Sequence, residues 1–264
     1  MNRLDEVFQQ KKANILSVYF TAGFPGLTDT IPIMTHLQDA GADIIEVGIP
    51  YSDPVADGPT IQESNQAALK NGMNLRLLLQ QLKDVRKQIN IPIVLMGYFN
   101  PVMQYGIERF CQECHELGVD GFIFPDLPMQ MYLDEFKEAF EKHGLHNIFL
   151  ITPQTSDERV RAIDKNSDSF IYVVSSASIT GAKTGISSEQ EAYFQRICDL
   201  KLKNPTLIGF GISNQETFEK ACKTAHGAII GSAFIKVLEH SKDLKTDIHN
   251  YIRSVKKAHE NIIH

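Results

Sequence analysis

A (β/α)8 TIM barrel is the fold class this sequence predicts, and three observations predict it. Eight short apolar runs read as strands, and most of them are Val, Ile, Leu and Phe without polar alternation, as expected for strands buried on both faces of a parallel sheet. Stretches of helical period separate these runs. Eight strand–helix units also fit the 264 residues, a length that holds one domain of the larger kind or two small ones. A doubly wound open sheet is the alternative architecture. No linker, low-complexity tract or repeat divides the chain, so residues 1–264 are expected to form a single barrel domain.

Residues 3–11 read as an extra N-terminal helix able to cover the barrel floor. Strands are expected at 15–21, 44–48, 93–97, 121–124, 147–151, 170–174, 206–209 and 227–231. Helices are expected at 29–40, 75–88, 132–143, 156–165, 190–198 and 215–223, with Asp29, Asn74 and Asn214 standing where an N-cap acceptor is wanted. Most successive strands are 21 to 29 residues apart, but the steps from Ile44 to Ile93 and from Ile171 to Leu207 span 49 and 36. Long loops therefore follow strands two and six. In a barrel such loops open on the C-terminal face, where active sites are built, so function is expected near 49–60 and 175–190.

Charge and cysteine usage narrow the function. Twenty-six Lys and Arg against 32 Asp and Glu give a net charge of −6, which argues against nucleic acid or an anionic membrane as the main partner. The first residues mix charges and lack a signal peptide, and no apolar run is long enough to span a bilayer, so a cytoplasmic protein is expected. Without an export signal, Cys111, Cys114, Cys198 and Cys222 are expected as free thiols. Cys111-Gln112-Glu113-Cys114-His115 has the haem c spacing. Yet Ile107, Phe110, Cys111, Cys114 and Leu117 share one face of an amphipathic helix over 106–117, where the cysteines serve as small core hydrophobes.

Glu46 is the strongest anomaly. It stands in Ile44-Ile45-Glu46-Val47-Gly48, a strand that should be buried on both faces, and no strand segment supplies a Lys or Arg to pair with it. A carboxyl held there with a raised pKa is a general acid/base candidate at the barrel mouth. Asp57, in Ala56-Asp57-Gly58-Pro59, is turn chemistry by itself. Its place in the long loop after Glu46 brings a functional reading level with that one, as a second carboxylate dividing acid and base work. Asp53, in Tyr51-Ser52-Asp53-Pro54, is equally a turn residue.

Glycines cluster after the last three strands, in Thr180-Gly181, Gly209-Phe210-Gly211 and Gly231-Ser232. Each alone could be a turn; three in neighbouring loops suggest a phosphate cradle of backbone N–H groups and a helix N-terminus. No predicted strand contains a Lys, against a Schiff-base aldolase, or a His, against imidazole-ligated metal chemistry. No metal is expected. Cofactor-free acid–base chemistry on a phosphorylated substrate remains.

Phe20-Thr21-Ala22-Gly23-Phe24-Pro25, Glu46-Val47-Gly48-Ile49-Pro50-Tyr51-Ser52-Asp53-Pro54, Ala56-Asp57-Gly58-Pro59, Gly209-Phe210-Gly211-Ile212-Ser213 and Gly231-Ser232-Ala233 occur in that order. On these segments the chain resembles the alpha subunits of tryptophan synthase over essentially its whole length. The resemblance implies a retro-aldol lyase that splits indole-3-glycerol phosphate into indole and glyceraldehyde 3-phosphate. It implies Glu46 as acid/base, Asp57 as the carboxylate on the indole N–H, and Tyr172 in support. It further implies an indole pocket of Phe20, Met96, Tyr98, Ile123 and Phe210. Gly181, Gly211, Gly231 and Ser232 would hold the phosphate, with Thr180 closing the loop. The implied partner is a beta subunit in an alpha2-beta2 heterotetramer, met through loops carrying Pro50, Asp53, Asn100, Pro101, Asp126 and Pro128. Pyridoxal phosphate would belong to that partner, and no cofactor is expected in this chain.

Overall fold

The computed structural model describes residues 1–175, 186–209 and 211–256. Its strands are β1 (Ile15–Thr21), β2 (Ile44–Gly48), β3 (Ile93–Met96), β4 (Gly121–Ile123), β5 (His146–Ile148), β6 (Leu150–Ile151), β7 (Ile171–Val174), β8 (Thr206–Gly209) and β9 (Gly227–Ile230). Every pairing is parallel, in the order β5-β4-β3-β2-β1-β9-β8-β7-β6. The two ends of this order, β5 and β6, are halves of the one strand predicted at 147–151. β5 pairs with β4 and β6 with β7, while Phe149 between them accepts a hydrogen bond from Tyr172 N at 2.9 Å. The sheet thus closes on itself through Phe149, and the fold is the (β/α)8 barrel, not an open sheet.

Three predicted strands agree to the residue and the others differ by one position at an end. The fifth starts at His146, so one strand does hold a histidine, contrary to expectation. Its ring lies 3.1 Å from Asp5 at the N-terminal end of the barrel, on the floor and away from the mouth. The strands are buried on both faces, as their apolar composition requires. The connection after β2 is not all loop: Pro59–Lys70 is a helix with Pro in its first turn, and its buried Ser64 hydroxyl meets Thr21 Oγ1 at 2.7 Å.

The helices start and stop for local reasons. Asn74 and Asn214 cap as predicted, accepting from Leu77 N and Thr217 N. Asp29 does not cap Thr30–Asp39. Its own backbone is already helical, so its carboxylate accepts from Gly26 N at 2.9 Å and fixes the preceding turn instead. The helix expected at 75–88 tightens to a 3-10 turn over Leu82–Lys87, and the one expected at 132–143 starts as a π-helical turn over Tyr132–Phe136.

The N-terminal helix, Arg3–Gln10, closes the floor. Leu4 is fully buried beneath Gly121. Asp120, almost wholly inside, accepts from Arg3 at 3.1 Å, Arg86 at 2.5 Å and Ile93 N at 2.8 Å. Cys111 and Cys114 are fully buried on Ile107–Leu117, and burial raises both thiols, Cys111 to about 12, consistent with their core role. Among the described residues no helix is long and apolar enough to cross a membrane.

Candidate active site

Side chains alternate along a strand, and register decides which of them meet inside the barrel. In β1, Ser17, Tyr19 and Thr21 share one face, while Leu16, Val18 and Phe20 share the other. Tyr19 stands beside Glu46 in the register of β1 and β2, and both face the interior. Glu46 is fully buried. Its Oε1 accepts a 2.6 Å hydrogen bond from Ser17 Oγ, and its buried Oε2 has no hydrogen-bond partner among the described residues. Loss of water raises its pKa to about 7, a shift that the Ser17 bond only partly offsets. The carboxyl is therefore poised to hold or release a proton near neutrality.

Asp57 comes from the long loop and is also buried. Burial raises its pKa to about 6, opposed by the Tyr98 hydroxyl, which lies 3.4 Å from Oδ2. Tyr98 accepts from Ala56 N at 2.8 Å and stacks on Tyr51 at a centroid distance of 4.9 Å, so the β2 loop is pinned to the end of β3. Asp53 is exposed and its carbonyl accepts from Val55 N; it is a turn residue.

The two carboxylates line one cleft, together with Met96, Tyr172, Gly211, Gly231 and Ser232 from the predicted set. Tyr98 lines an adjoining cleft that shares Tyr19, Asp57 and Met96. At one end of the main cleft, Gly231 caps the helix Ser232–His240, whose first N–H groups have no intrahelical partner. Gly211 turns there at φ +76°, a conformation that favours glycine. This end suits an anion, and the carboxylate end suits a proton-transferring aromatic or hydroxyl group.

Phe20 is a correction: it is fully buried but lies on the opposite face of β1, and Tyr19 is the β1 residue that lines both clefts. Ile123 pairs with Met96 and shares its inward face, fully buried without lining either cleft. Thr180, Gly181 and Phe210 lie outside the described residues. Sequence reasoning missed Ser17, Tyr19, Tyr51, Ile61 and Ile229. The first two carried a signal, since Ser17, Tyr19 and Thr21 form a period-two polar pattern inside an apolar run. Two glycines follow from the same tyrosines. A Cβ on Gly48 would strike the Tyr19 hydroxyl, and one on Gly209 the Tyr172 hydroxyl, so Gly209 makes room for Tyr172.

A family model described as tryptophan synthase alpha chain matches residues 5–264. The tryptophan synthase alpha chain of Flavobacterium johnsoniae is 58% identical over 241 residues, covering 91% of this chain and 95% of that one. That of Christiangramia forsetii is 52% identical over 256 residues, covering 97% and 99%. The solved tryptophan synthase subunit alpha of Legionella pneumophila str. Paris has a TM-score of 0.86 at 34% identity, with 97% of each chain covered. With a family match over nearly its whole length, and relatives more than half identical, the chain belongs to the tryptophan synthase alpha chain family and is a lyase of the tryptophan pathway.

Proposed function

We propose that this chain cleaves indole-3-glycerol phosphate to indole and glyceraldehyde 3-phosphate, using no cofactor of its own. The observation that carries the reading is a pair of buried carboxylates on one cleft, with pKa values of about 7 and about 6. Protonated Glu46 gives its proton to indole C3. Asp57, ionised, accepts the indole N–H and stabilises the positive charge that develops on the ring. The carboxylate left on Glu46 then takes the proton of the glycerol hydroxyl next to the ring. The oxygen becomes the aldehyde carbonyl as the carbon–carbon bond breaks, and its electrons restore the indole. Tyr172 supports the reacting end, and Gly211, Gly231 and Ser232 hold the phosphate, with Gly181 and Thr180 as further substrate-binding residues.

Indole then passes to a beta subunit that carries pyridoxal phosphate, within an alpha2-beta2 heterotetramer in the cytoplasm. A docking face at the barrel mouth is supported by Val55, in the loop after β2, and Met103, on the helix Phe99–Tyr105 after β3, both large apolar side chains left exposed. Pro50, Asp53, Asp126 and Pro128 lie in loops of that face, and Asn100 and Pro101 lie on the helix Phe99–Tyr105 that follows β3. Indole release from indole-3-glycerol phosphate, measured with and without a beta subunit, is the test. Cleavage that the beta subunit accelerates supports both parts of the reading. Cleavage indifferent to the beta subunit leaves a stand-alone lyase, and no cleavage in either case removes the proposal.

A further inference from the structure

Away from the mouth, the helix Thr30–Asp39 packs against Leu244–Val255, and the contact brings two imidazoles together. His36 and His249 lie with ring centroids 6.2 Å apart and planes at 63°. Ligand-capable atoms of His36, Asp39 and His249 all fall within 4.8 Å of one another. His36 and Asp39 are three residues apart on one helix and so share a face, while His249 reaches across from the other. Independently, His36 Nδ1 and His249 Nε2 are buried ring nitrogens with no hydrogen-bond partner among the described residues. Buried polar atoms are nearly always satisfied, and two orphaned imidazole nitrogens on facing helices call for a shared partner.

We infer that His36, Asp39 and His249 form a site for a divalent transition metal of the zinc type, stapling the helix Leu244–Val255 to the barrel wall. Two imidazoles and one carboxylate are the donor types that zinc accepts, at about 2.0–2.2 Å, and imidazole nitrogen selects against magnesium and calcium. Asp39 is exposed, so its carboxylate is free to swing inward; a water completes the tetrahedron. Asp39 ends its helix just ahead of β2, toward the barrel floor, which sets the cluster apart from Glu46 and Asp57. The staple is structural, with no part in cleavage.

The full chain, stripped with chelator and titrated with zinc chloride near neutral pH, tests this by calorimetry and by thermal melting. Expected is one saturable equivalent and a melting temperature that rises with zinc concentration. His36→Gln and His249→Gln should each lower the affinity at least tenfold and remove the melting shift. Cys198→Ser and His240→Gln, which change exposed donors elsewhere, should leave both unchanged. Absence of saturable binding, or binding that survives the His36→Gln/His249→Gln double substitution, would overturn the assignment.

Discussion

Glu46 is held in a place that suits its chemistry and strains its stability. Its folded pKa, about 7, lies above the ordinary 4.5. Between those values the folded chain keeps a proton that the unfolded chain has lost, so stability falls as pH rises through that window and levels off above it. The shift corresponds to about 3 kcal/mol. Glu46→Gln should therefore lower kcat by about a hundred- to ten-thousandfold. The same variant should be more stable than wild type by about 1–3 kcal/mol at about pH 8, the gap closing below the ordinary carboxyl pKa. Urea melts at both pH values, beside indole release, check the two effects together. If the reaction needs Asp57 ionised and Glu46 protonated, kcat/KM should be bell-shaped, with limbs near 6 and 7. Ser17→Ala removes a bond that favours the Glu46 carboxylate and should move the upper limb to higher pH. A rate loss with both limbs unmoved would reduce Ser17 to a packing residue.

Strand ends, more than whole strands, shape the cleft. β8 ends at Gly209, in register with Val174 and without a side chain, and the Tyr172 ring fills the vacated space. Gly209→Ala should displace Tyr172 and cost about 1–3 kcal/mol through overpacking. With Tyr172→Ala in the same chain, the clash disappears and the two effects should be strongly non-additive, which a double-mutant cycle in urea would read. The period-two pattern of Ser17, Tyr19 and Thr21 is legible in the sequence, because alternation is a property of one strand. Which of its two faces looks inward is not. That depends on register with β2, so Phe20 and Tyr19 exchange places.

At the floor, ion pairs tie the N-terminal segment to the barrel. Asp120 ties the N-terminal helix, the 3-10 turn carrying Arg86 and the first N–H of β3 to one nearly buried carboxylate. Asp120→Ala leaves Arg86 partly buried without its anion and should destabilise by about 3–5 kcal/mol. Asp84→Ala, whose pair with Lys87 is exposed to water on both sides, should leave stability nearly unchanged. Equal losses in the two variants, measured by urea melts, would mean that the Asp120 cluster contributes no more than a surface pair.

Local pattern was enough to place the strands within a residue or so at either end, to place the caps at Asn74 and Asn214, and to mark Glu46 as a carboxyl out of place. These follow from side-chain type and near-neighbour spacing, which a sequence states directly. Tertiary structure decided the rest. Closure at Phe149 depends on two halves of one strand pairing with opposite neighbours. Asp57, ambiguous as a turn residue, is in the folded chain a buried carboxyl hydrogen-bonded by Tyr98, 41 positions away. A pKa depends on water excluded and charges approached, and both are fixed by residues that the chain brings together only when it folds.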